Sequence, residues 1–370
     1  QTMRLAPGHK AQYTGAEAVR VAARLKSWRG EIRGNGHASF ELAPALVPQG
    51  RLDFENFEMW FESGPPVSGG TARRVDGATV LRAWQNGETL VPLSGGGWAP
   101  LPREWLDLYG HRVADLMAAR AAGGTLPQFA LPDLARLCES LEQPAPPEFD
   151  ALRALVEDFS GIPDASLPHD TPATLRSYQR SGVNWLVFLR EAGLGAMLAD
   201  DMGLGKTLQA LCAMRGRTLV VAPTSVMSHW GDEIRRFRPR LRQSLYHGPQ
   251  RSLDPEADIT LTTYAILRLD SERLAQQSWD TVVLDEAQNI KNPDSQVAQA
   301  AFELRAGCRL TLSGTPIENR LDELWSQFHF LNCGLLGGRQ DFQDRYAQPI
   351  AAGDEQAAER LRERIRPFIL

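Results

Sequence analysis

Lysine is nearly missing from this 370-residue sequence: four lysines stand against 36 arginines. A usage bias accounts for the ratio, but it leaves Lys206 and Lys291 as the only lysines in the C-terminal two-thirds, and a lysine that survives the bias merits inspection. Cysteine is scarce as well. Cys138, Cys212, Cys308 and Cys333 are far apart with no C-x-x-C pair, which excludes a disulfide framework and a zinc ribbon and predicts reduced core residues. No stretch approaches the roughly 18 unbroken apolar residues of a membrane span, and the N-terminus lacks the charged, apolar, small-residue order of a secretion signal. A membrane protein is therefore not expected. A basic surface is missing too: the formal net charge is −5, so nucleic acid cannot be held by the charge of the whole chain, and any such contact must be local. What is present is 43% hydrophobic and 23% charged residues, enough for two or three folded units at roughly 150 residues each. That excludes a disordered chain.

Two proline-rich stretches divide the sequence, Pro144 to Pro147 and Gly161 to Pro172. Both read as linkers. Between them Phe149, Leu152, Leu155, Val156 and Phe159 recur at helical spacing and predict a short amphipathic helix. The organisation expected is an N-terminal accessory domain over 1–160, a linker over 161–173 and an α/β domain over 174–370. The N-terminal part carries five of the nine tryptophans (Trp28, Trp60, Trp84, Trp98, Trp105), with glycine turns at Gly34–Gly36, Ser68–Gly70 and Gly95–Gly97 that favour short antiparallel strands. With helical segments near Ala16–Trp28 and Trp105–Ala122, it reads as α+β, its tryptophans as core or interface residues. After 174, short apolar runs alternate with helical segments: Ala196–Ala199, Thr218–Ala222, Ile259–Thr262, Thr281–Leu284 and Arg309–Leu312. Runs buried on both faces and separated by helices predict a parallel sheet in an α/β domain.

The first of these runs leads into Asp200-Asp201-Met202-Gly203-Leu204-Gly205-Lys206-Thr207 and then a helical stretch. A glycine-rich turn between strand and helix aims backbone N–H groups at one point, and the helix N-terminus adds partial positive charge, so polyphosphate can be cradled there. Gly203 and Gly205 let the backbone close in, Lys206 reaches the β- and γ-phosphates, and the Thr207 hydroxyl ligates Mg²⁺. Asp200 stands where the general pattern expects glycine. Some eighty residues on, Thr281–Leu284 ends in Asp285-Glu286-Ala287-Gln288. Carboxylates at the tip of a parallel strand lie in the ligand crevice of such sheets, beside the phosphate loop. Asp285 is expected to hold the metal through water, and Glu286 to orient or deprotonate the attacking water.

With these residues in view, the chain resembles the Swi/Snf-type ATPases of helicase superfamily two, the motor family of chromatin remodellers and their bacterial and archaeal relatives. The motifs run in the family's order: LRSYQ (Leu175–Gln179), LADDMGLGKT (Leu198–Thr207), VVAPTSVMSHW (Val220–Trp230), LTTY (Leu261–Tyr264), LDEAQNIKN (Leu284–Asn292) and LSGTPIENRLDELWSQFHFL (Leu312–Leu331). The resemblance implies a RecA-like first motor lobe binding ATP and Mg²⁺. Gln179 would read the adenine edge, since an amide offers both donor and acceptor; Arg176 and Tyr178 would shape that pocket. The phosphate loop, Asp201 to Thr207, would hold the nucleotide. It further implies contact with one strand of double-stranded DNA through Pro223, Thr224, Ser225, Thr262 and Thr263, small groups at strand ends suited to tracking phosphates. Ser313, Gly314 and Thr315 match the motif that couples nucleotide state to movement, and Lys291 with Asn292 would order their loop.

Five arginines between Arg235 and Arg242 read equally as a DNA-facing patch or as a helix end favoured by the dipole. His229 and His329 read as satisfied residues in apolar surroundings, not metal ligands. Because the family's transition-state arginines come from a second lobe that this sequence does not supply, the chain is expected to be a fragment of a monomeric DNA translocase of the bacterial cytoplasm and nucleoid. Alternatively, it is a docking module with a vestigial nucleotide site whose Trp-rich half binds a protein, or a motor acting on RNA or RNA polymerase.

Overall fold

The computed structural model describes residues 12–370 apart from 26, 34–39, 41, 54, 65–72, 95, 154–158, 160, 172–173, 202 and 315–320. Two compact units divide the chain: Gln1–Leu126 with Asp133–Pro146, and Pro127–Pro132 with Pro147–Leu370.

The first unit is α+β. Helix α1 (Gly15–Leu25) precedes an antiparallel sheet of β1 (Leu46–Leu52), β2 (Phe57–Ser63) and β3 (Arg73–Asp76), with β2 central. Strand β2 shows why these residues form a sheet: Phe57, Met59, Phe61 and Ser63 are buried in alternation with Glu58, Trp60 and Glu62. Asp76 ends β3 and caps α2 (Gly77–Gln85), its Oδ2 accepting from the N–H groups of Ala78 and Thr79 at 3.1 and 3.3 Å. A hairpin of β4 (Leu90–Pro92) and β5 (Trp98–Pro100), joined through Gly96 and Gly97 at positive φ, leads to α3 (Arg103–Gly123); α4 (Leu131–Ser140) follows. Of the five tryptophans, Trp28 is exposed at 64% and the other four are half-buried. The Trp84 indole donates to Asp107 at 2.9 Å, and Trp105 meets Phe61 edge-on. The turns foreseen at Gly34–Gly36 and Ser68–Gly70 lie outside the described residues.

The second unit is a six-stranded parallel sheet flanked by helices. Its elements run α5 (Ser177–Glu191), β6 (Ala196–Leu198), α6 (Lys206–Ala213), β7 (Thr218–Ala222), α7 (Met227–Phe237), β8 (Gln243–Leu245), β9 (Ile259–Thr263), α8 (Tyr264–Leu269) and α9 (Ser271–Ala275). Then come β10 (Ser278–Asp285), α10 (Gln296–Phe302), β11 (Arg305–Leu312), α11 (Leu321–Leu331), α12 (Arg339–Phe342), α13 (Gln348–Ala351) and α14 (Glu355–Ile365). The strand order is β6-β11-β10-β7-β9-β8, every pair parallel. Every residue of β7 and β9 is buried, as expected where helices cover both faces. All five strands expected here are present, and β8 is an addition. Lying at the sheet edge, with Leu245 exposed at 60%, it has no apolar run to announce it.

Three further points differ from or refine the expectations. Residues 147–152 form a 3-10 turn with Phe149 and Leu152 buried; Leu155 and Val156 of the foreseen helix lie outside the described residues. The segment 161–171 has no helix or strand, yet it is fastened down: Ala165 N–H donates to Asn184 at 3.0 Å, Arg180 to the Ala165 carbonyl at 2.8 Å, and Arg238 pairs with Asp170 at 2.8 Å. Cys138, Cys212 and Cys308 are buried, but Cys333 is exposed, because it follows the end of α11 while its neighbour Asn332 turns inward to Gly195.

Candidate nucleotide site

The C-terminal ends of the parallel strands gather the residues on which the sequence reading centred. Strand β6 runs into the loop 199–205, and α6 begins at Lys206. Gly203 and Gly205 have φ of +85° and +76°, a left-handed backbone that a side chain disfavours. At Gly205 a second constraint applies: a Cβ would lie 2.6 Å from Gln179 Nε2. That amide is 8% exposed and engaged at both ends. Its Oε1 accepts from the Arg176 N–H at 3.0 Å, and its Nε2 donates to the Leu204 carbonyl at 3.2 Å, where the Tyr178 hydroxyl also donates at 3.3 Å. The first turn of α5 thus braces the phosphate loop from the side, with the Gln179 amide facing that loop. Arg176 and Tyr178 are exposed nearby.

Lys206 is half-buried, and its ammonium donates to the carbonyls of Asp200 and Asp201 at 2.7 and 3.0 Å. Thr207 follows on the first turn of α6, whose N-terminus adds the partial positive charge that favours anions. Met202 lies outside the described residues.

Asp285 ends β10. One strand, β11, lies between it and β6, so the acidic pair is not on the strand next to the loop. Burial pushes the Asp285 carboxyl above the ordinary carboxylate range. The Trp230 indole N–H opposes this, Glu286 adds to it, and the Glu286 N–H and the Lys206 ammonium draw it back. Because β11 pairs in parallel with both β6 and β10, the loop and the acidic pair stand at the same end of the sheet. Glu286 follows with φ 52° and ψ 59°, left-handed without being glycine, and the Gln288 amide donates to its carboxylate at 2.9 Å.

The donors fit a magnesium ion. A threonine hydroxyl and a single carboxylate are hard oxygen ligands of the kind that bind Mg²⁺ together with phosphate and water. Among the described residues no three His, Cys, Asp or Glu side chains converge, so an all-protein cage is not the arrangement here.

The other expected residues fall into two groups. Pro223, Thr224 and Ser225 follow β7; Pro223 is half-buried, Thr224 and Ser225 are exposed, and Thr224–Val226 forms a 3-10 turn. Thr262 and Thr263 are buried instead, at 0% and 3% exposure. Their hydroxyls are used inside the unit, Thr262 donating to the Tyr246 carbonyl at 2.9 Å and Thr263 accepting from the Ile266 N–H at 3.3 Å. Ser313 is buried, and its N–H donates to the Leu198 carbonyl at 3.1 Å, joining β11 to the base of the phosphate loop; Gly314 is half-buried and Thr315 lies outside the described residues. Lys291 pairs with Glu323 at 3.6 Å.

The arginine cluster is spread among separate duties. Arg238 is buried against Asp170 and the Leu211 carbonyl, Arg235 pairs with Asp232, and Arg242 pairs with Asp254. His229 is exposed rather than set among apolar side chains. His329 stacks on Trp325 and meets Phe302 edge-on, and burial lowers its pKa from the usual imidazole value.

Two residues at this site escaped the sequence reading. The Trp230 indole donates to Asp285 Oδ2 at 2.8 Å, and the Tyr264 hydroxyl donates to the Asp285 backbone carbonyl at 2.7 Å. Both close motifs that were recognised, but their partner lies 55 and 21 residues away, a distance that only the strand order closes.

Comparison with known proteins identifies the family of the second unit. A family described as the SNF2-related domain matches residues 178–370. The Bacillus subtilis protein YwqA, provisionally named an ATP-dependent helicase/translocase, is 42% identical over 239 residues, covering 59% of this chain and 26% of that protein. The TATA-binding protein-associated factor MOT1 of Saccharomyces cerevisiae is 37% identical over 264 residues, 60% of this chain and 14% of its own length. Among solved structures, the Sulfolobus solfataricus SWI2/SNF2 ATPase core in complex with dsDNA superposes with a TM-score of 0.54 at 43% identity, covering 56% of this chain and 46% of that one. This chain thus spans about a quarter or less of these two relatives' lengths.

Proposed function

Since this chain belongs to the SNF2-related domain family, we propose that its second unit is the nucleotide-binding lobe of an ATP-driven translocase on double-stranded DNA. The observation that carries this reading is the gathering of the 199–205 loop, Lys206 and the Asp285–Glu286 pair at the C-terminal ends of parallel strands β6 and β10, with β11 between them and its Ser313 N–H bonded to the Leu198 carbonyl at the base of that loop. A RecA-like lobe over 174–370, joined by the 161–173 segment to an accessory domain over 1–160, is the organisation we propose for the chain. The accessory domain is where a protein partner would dock.

In this reading the backbone N–H groups at the start of α6 and the Lys206 ammonium, released from its two carbonyls, take up the β- and γ-phosphates. Thr207 and, through water, Asp285 would hold Mg²⁺, which would neutralise charge on the phosphoryl oxygens. Glu286, its carboxylate oriented by Gln288, positions the attacking water and accepts its proton. Tyr178 and Arg176 flank the base, and Gln179 links base recognition to the loop through Leu204. Pro223, Thr224 and Ser225 follow one strand of the duplex backbone, which positions the protein without reading sequence. The chain holds one such parallel sheet among its described residues, and the family supplies its transition-state arginines from a second lobe. Those arginines contribute about 10³–10⁵ in rate, so this chain alone binds Mg·ATP far better than it turns it over.

Equilibrium binding of a slowly hydrolysed ATP analogue tests the reading. Lys206→Ala removes the charged donor and weakens binding by about ten- to a hundredfold, the worth of one or two hydrogen bonds to a charged group. Duplex DNA outcompetes single strands and RNA for the chain. Unchanged nucleotide affinity in the variant would mark the site as vestigial, and preference for RNA would redirect the motor.

A further inference from the structure

Asp285 is gripped by two aromatic side chains that phosphate chemistry does not require. The strands β10, β7 and β9 are consecutive in the sheet, and each contributes at its C-terminal tip. From the β7 side, Trp230 in the first turn of α7 is fully buried, and its indole N–H reaches Asp285 Oδ2 at 2.8 Å. From the β9 side, Tyr264, the first residue of α8 and 6% exposed, donates its hydroxyl to the Asp285 carbonyl at 2.7 Å. The two bonds do different things. The indole fixes the rotation of the carboxylate, whose other oxygen accepts from the Glu286 N–H at 3.0 Å. The phenol fixes the peptide between Asp285 and Glu286, the one that leads into the left-handed conformation of Glu286.

Both aromatic residues are mounted directly behind strand ends, Trp230 behind the exposed turn that follows β7 and Tyr264 behind the buried end of β9. The exposed Thr224 and Ser225 lie in a 3-10 turn that passes into α7 without a break, the Met227 N–H donating to the Thr224 carbonyl. A displacement of that turn therefore moves the first turn of α7, and in a close-packed interior the fully buried Trp230 indole is carried with it. Tyr264 stands next to Thr263, whose side chain caps α8, so the phenol keeps a fixed base while the indole is carried.

Resting on the function proposed above, we infer that Trp230 and Tyr264 are positioning residues through which duplex occupancy at 223–225 sets the orientation of Asp285. They thereby couple DNA binding to Mg·nucleotide binding. The indole is the moving contact and the phenol the fixed one.

The test is a coupling measurement on the full chain. The affinity for a short DNA duplex is measured with and without the Mg²⁺ complex of a slowly hydrolysed ATP analogue, and their ratio is the coupling factor, which linkage makes identical from either ligand's side. The wild type shows a factor of about fivefold or more. Trp230→Phe and Tyr264→Phe each delete one donor and keep a ring. Each brings the factor at least halfway to unity on a logarithmic scale, and together they bring it within about twofold of unity, with duplex affinity in the absence of nucleotide unchanged within about twofold. A residue that merely fills the core would lower the melting temperature and leave the ratio alone. A wild-type factor of one, or variants that keep the wild-type factor, overturns the inference. Should Trp230→Phe not fold, Tyr264→Phe, which removes a single oxygen, decides alone. If the wild type binds neither ligand, the proposed function falls with it. If Lys206→Ala abolishes nucleotide binding while Tyr264→Phe leaves the ratio intact, only the coupling role falls.

Discussion

Among the described residues, Glu142, Phe159 and Glu286 combine a side chain with a positive φ, and of these only Glu286 lies at the candidate site. A left-handed backbone at a residue with a Cβ costs about 1–2 kcal/mol, and it persists only where its surroundings impose it. Here the end of β10 leads into a 3-10 turn over Ala287–Ile290, and the Asn289 side chain donates to the Glu286 carbonyl at 2.8 Å. The Glu286 carboxylate is held by the Gln288 amide at 2.9 Å. Replacing Glu286 by glycine removes the Cβ clash, and after the greater freedom that glycine gives the unfolded chain is set against this, about 1 kcal/mol of stability remains as a gain. Glu286→Gly thus unfolds at higher urea concentration than wild type while, under the proposed function, ATP hydrolysis collapses. Glu286→Ala, which keeps a Cβ, loses hydrolysis without gaining stability. A glycine variant no more stable than the alanine variant would show that this backbone stores no strain. None of this was legible in the sequence, because an Asp-Glu pair after an apolar run says where a carboxylate stands but not at which φ. Gly205 was legible in kind, as a loop glycine, but the Gln179 amide that occupies its Cβ position was not.

Elements differ in how openly the sequence displays them, and burial decides it. Strands β7 and β9 are covered on both faces and read as runs of Val, Leu, Ile and Thr, whereas β8, half-exposed at the edge, carries Gln243-Ser244-Leu245 and reads as loop. The same burial places Thr262 and Thr263, expected at a strand end suited to tracking phosphates, inside the unit, where their hydroxyls bond the Tyr246 carbonyl and the Ile266 N–H. Strand β8 is held by its ladder to β9, and the segment that follows it is fastened by a polar cluster. Asp270, between α8 and α9, accepts from Arg251 Nε and Nη2 at 2.6 and 2.7 Å and from the Tyr246 hydroxyl at 2.6 Å. The Arg251 guanidinium, with Tyr246 adding, holds the Asp270 carboxyl below the ordinary carboxylate range against the opposing pull of desolvation. A depressed folded-state pKa contributes stability that is present above the unfolded value and disappears as pH falls through the folded one. Asp270→Asn therefore lowers stability at neutral pH by about 1 kcal/mol, read as a lower urea midpoint. The difference from wild type closes in acid as Asp270 itself becomes neutral. A gap that stayed constant down to acid pH would assign the loss to packing and not to charge.

At the scale of the whole molecule, the sequence separates a Trp-rich α+β part from an α/β part, but it gives no sign that a short upstream piece belongs with the latter. Pro127–Pro132 groups with Pro147–Leu370, and within that unit Phe129, 8% exposed, sits 3.6 Å from where a Cβ on Gly334 would stand. Such an exchange leaves no compositional mark, since the residues between, Asp133–Pro146, return to the first unit. It has a measurable consequence. A fragment of residues 147–370 retains the phosphate loop, α5 and the acidic pair, so it binds the Mg²⁺ complex of an ATP analogue within about twofold of the full chain, a difference below the roughly 1.4 kcal/mol of one decade. It lacks Phe129, whose burial stabilises the unit by about 2 kcal/mol. For a chain of this size that loss lowers the melting temperature by about 5 °C. Calorimetry and nucleotide titration on the fragment measure the two quantities separately. A fragment that melts with the full chain would mean that the 127–132 turn contributes nothing to the second unit. One that folds but no longer binds nucleotide would place part of the site within residues 1–146, against the assignment of all its groups to 176–286.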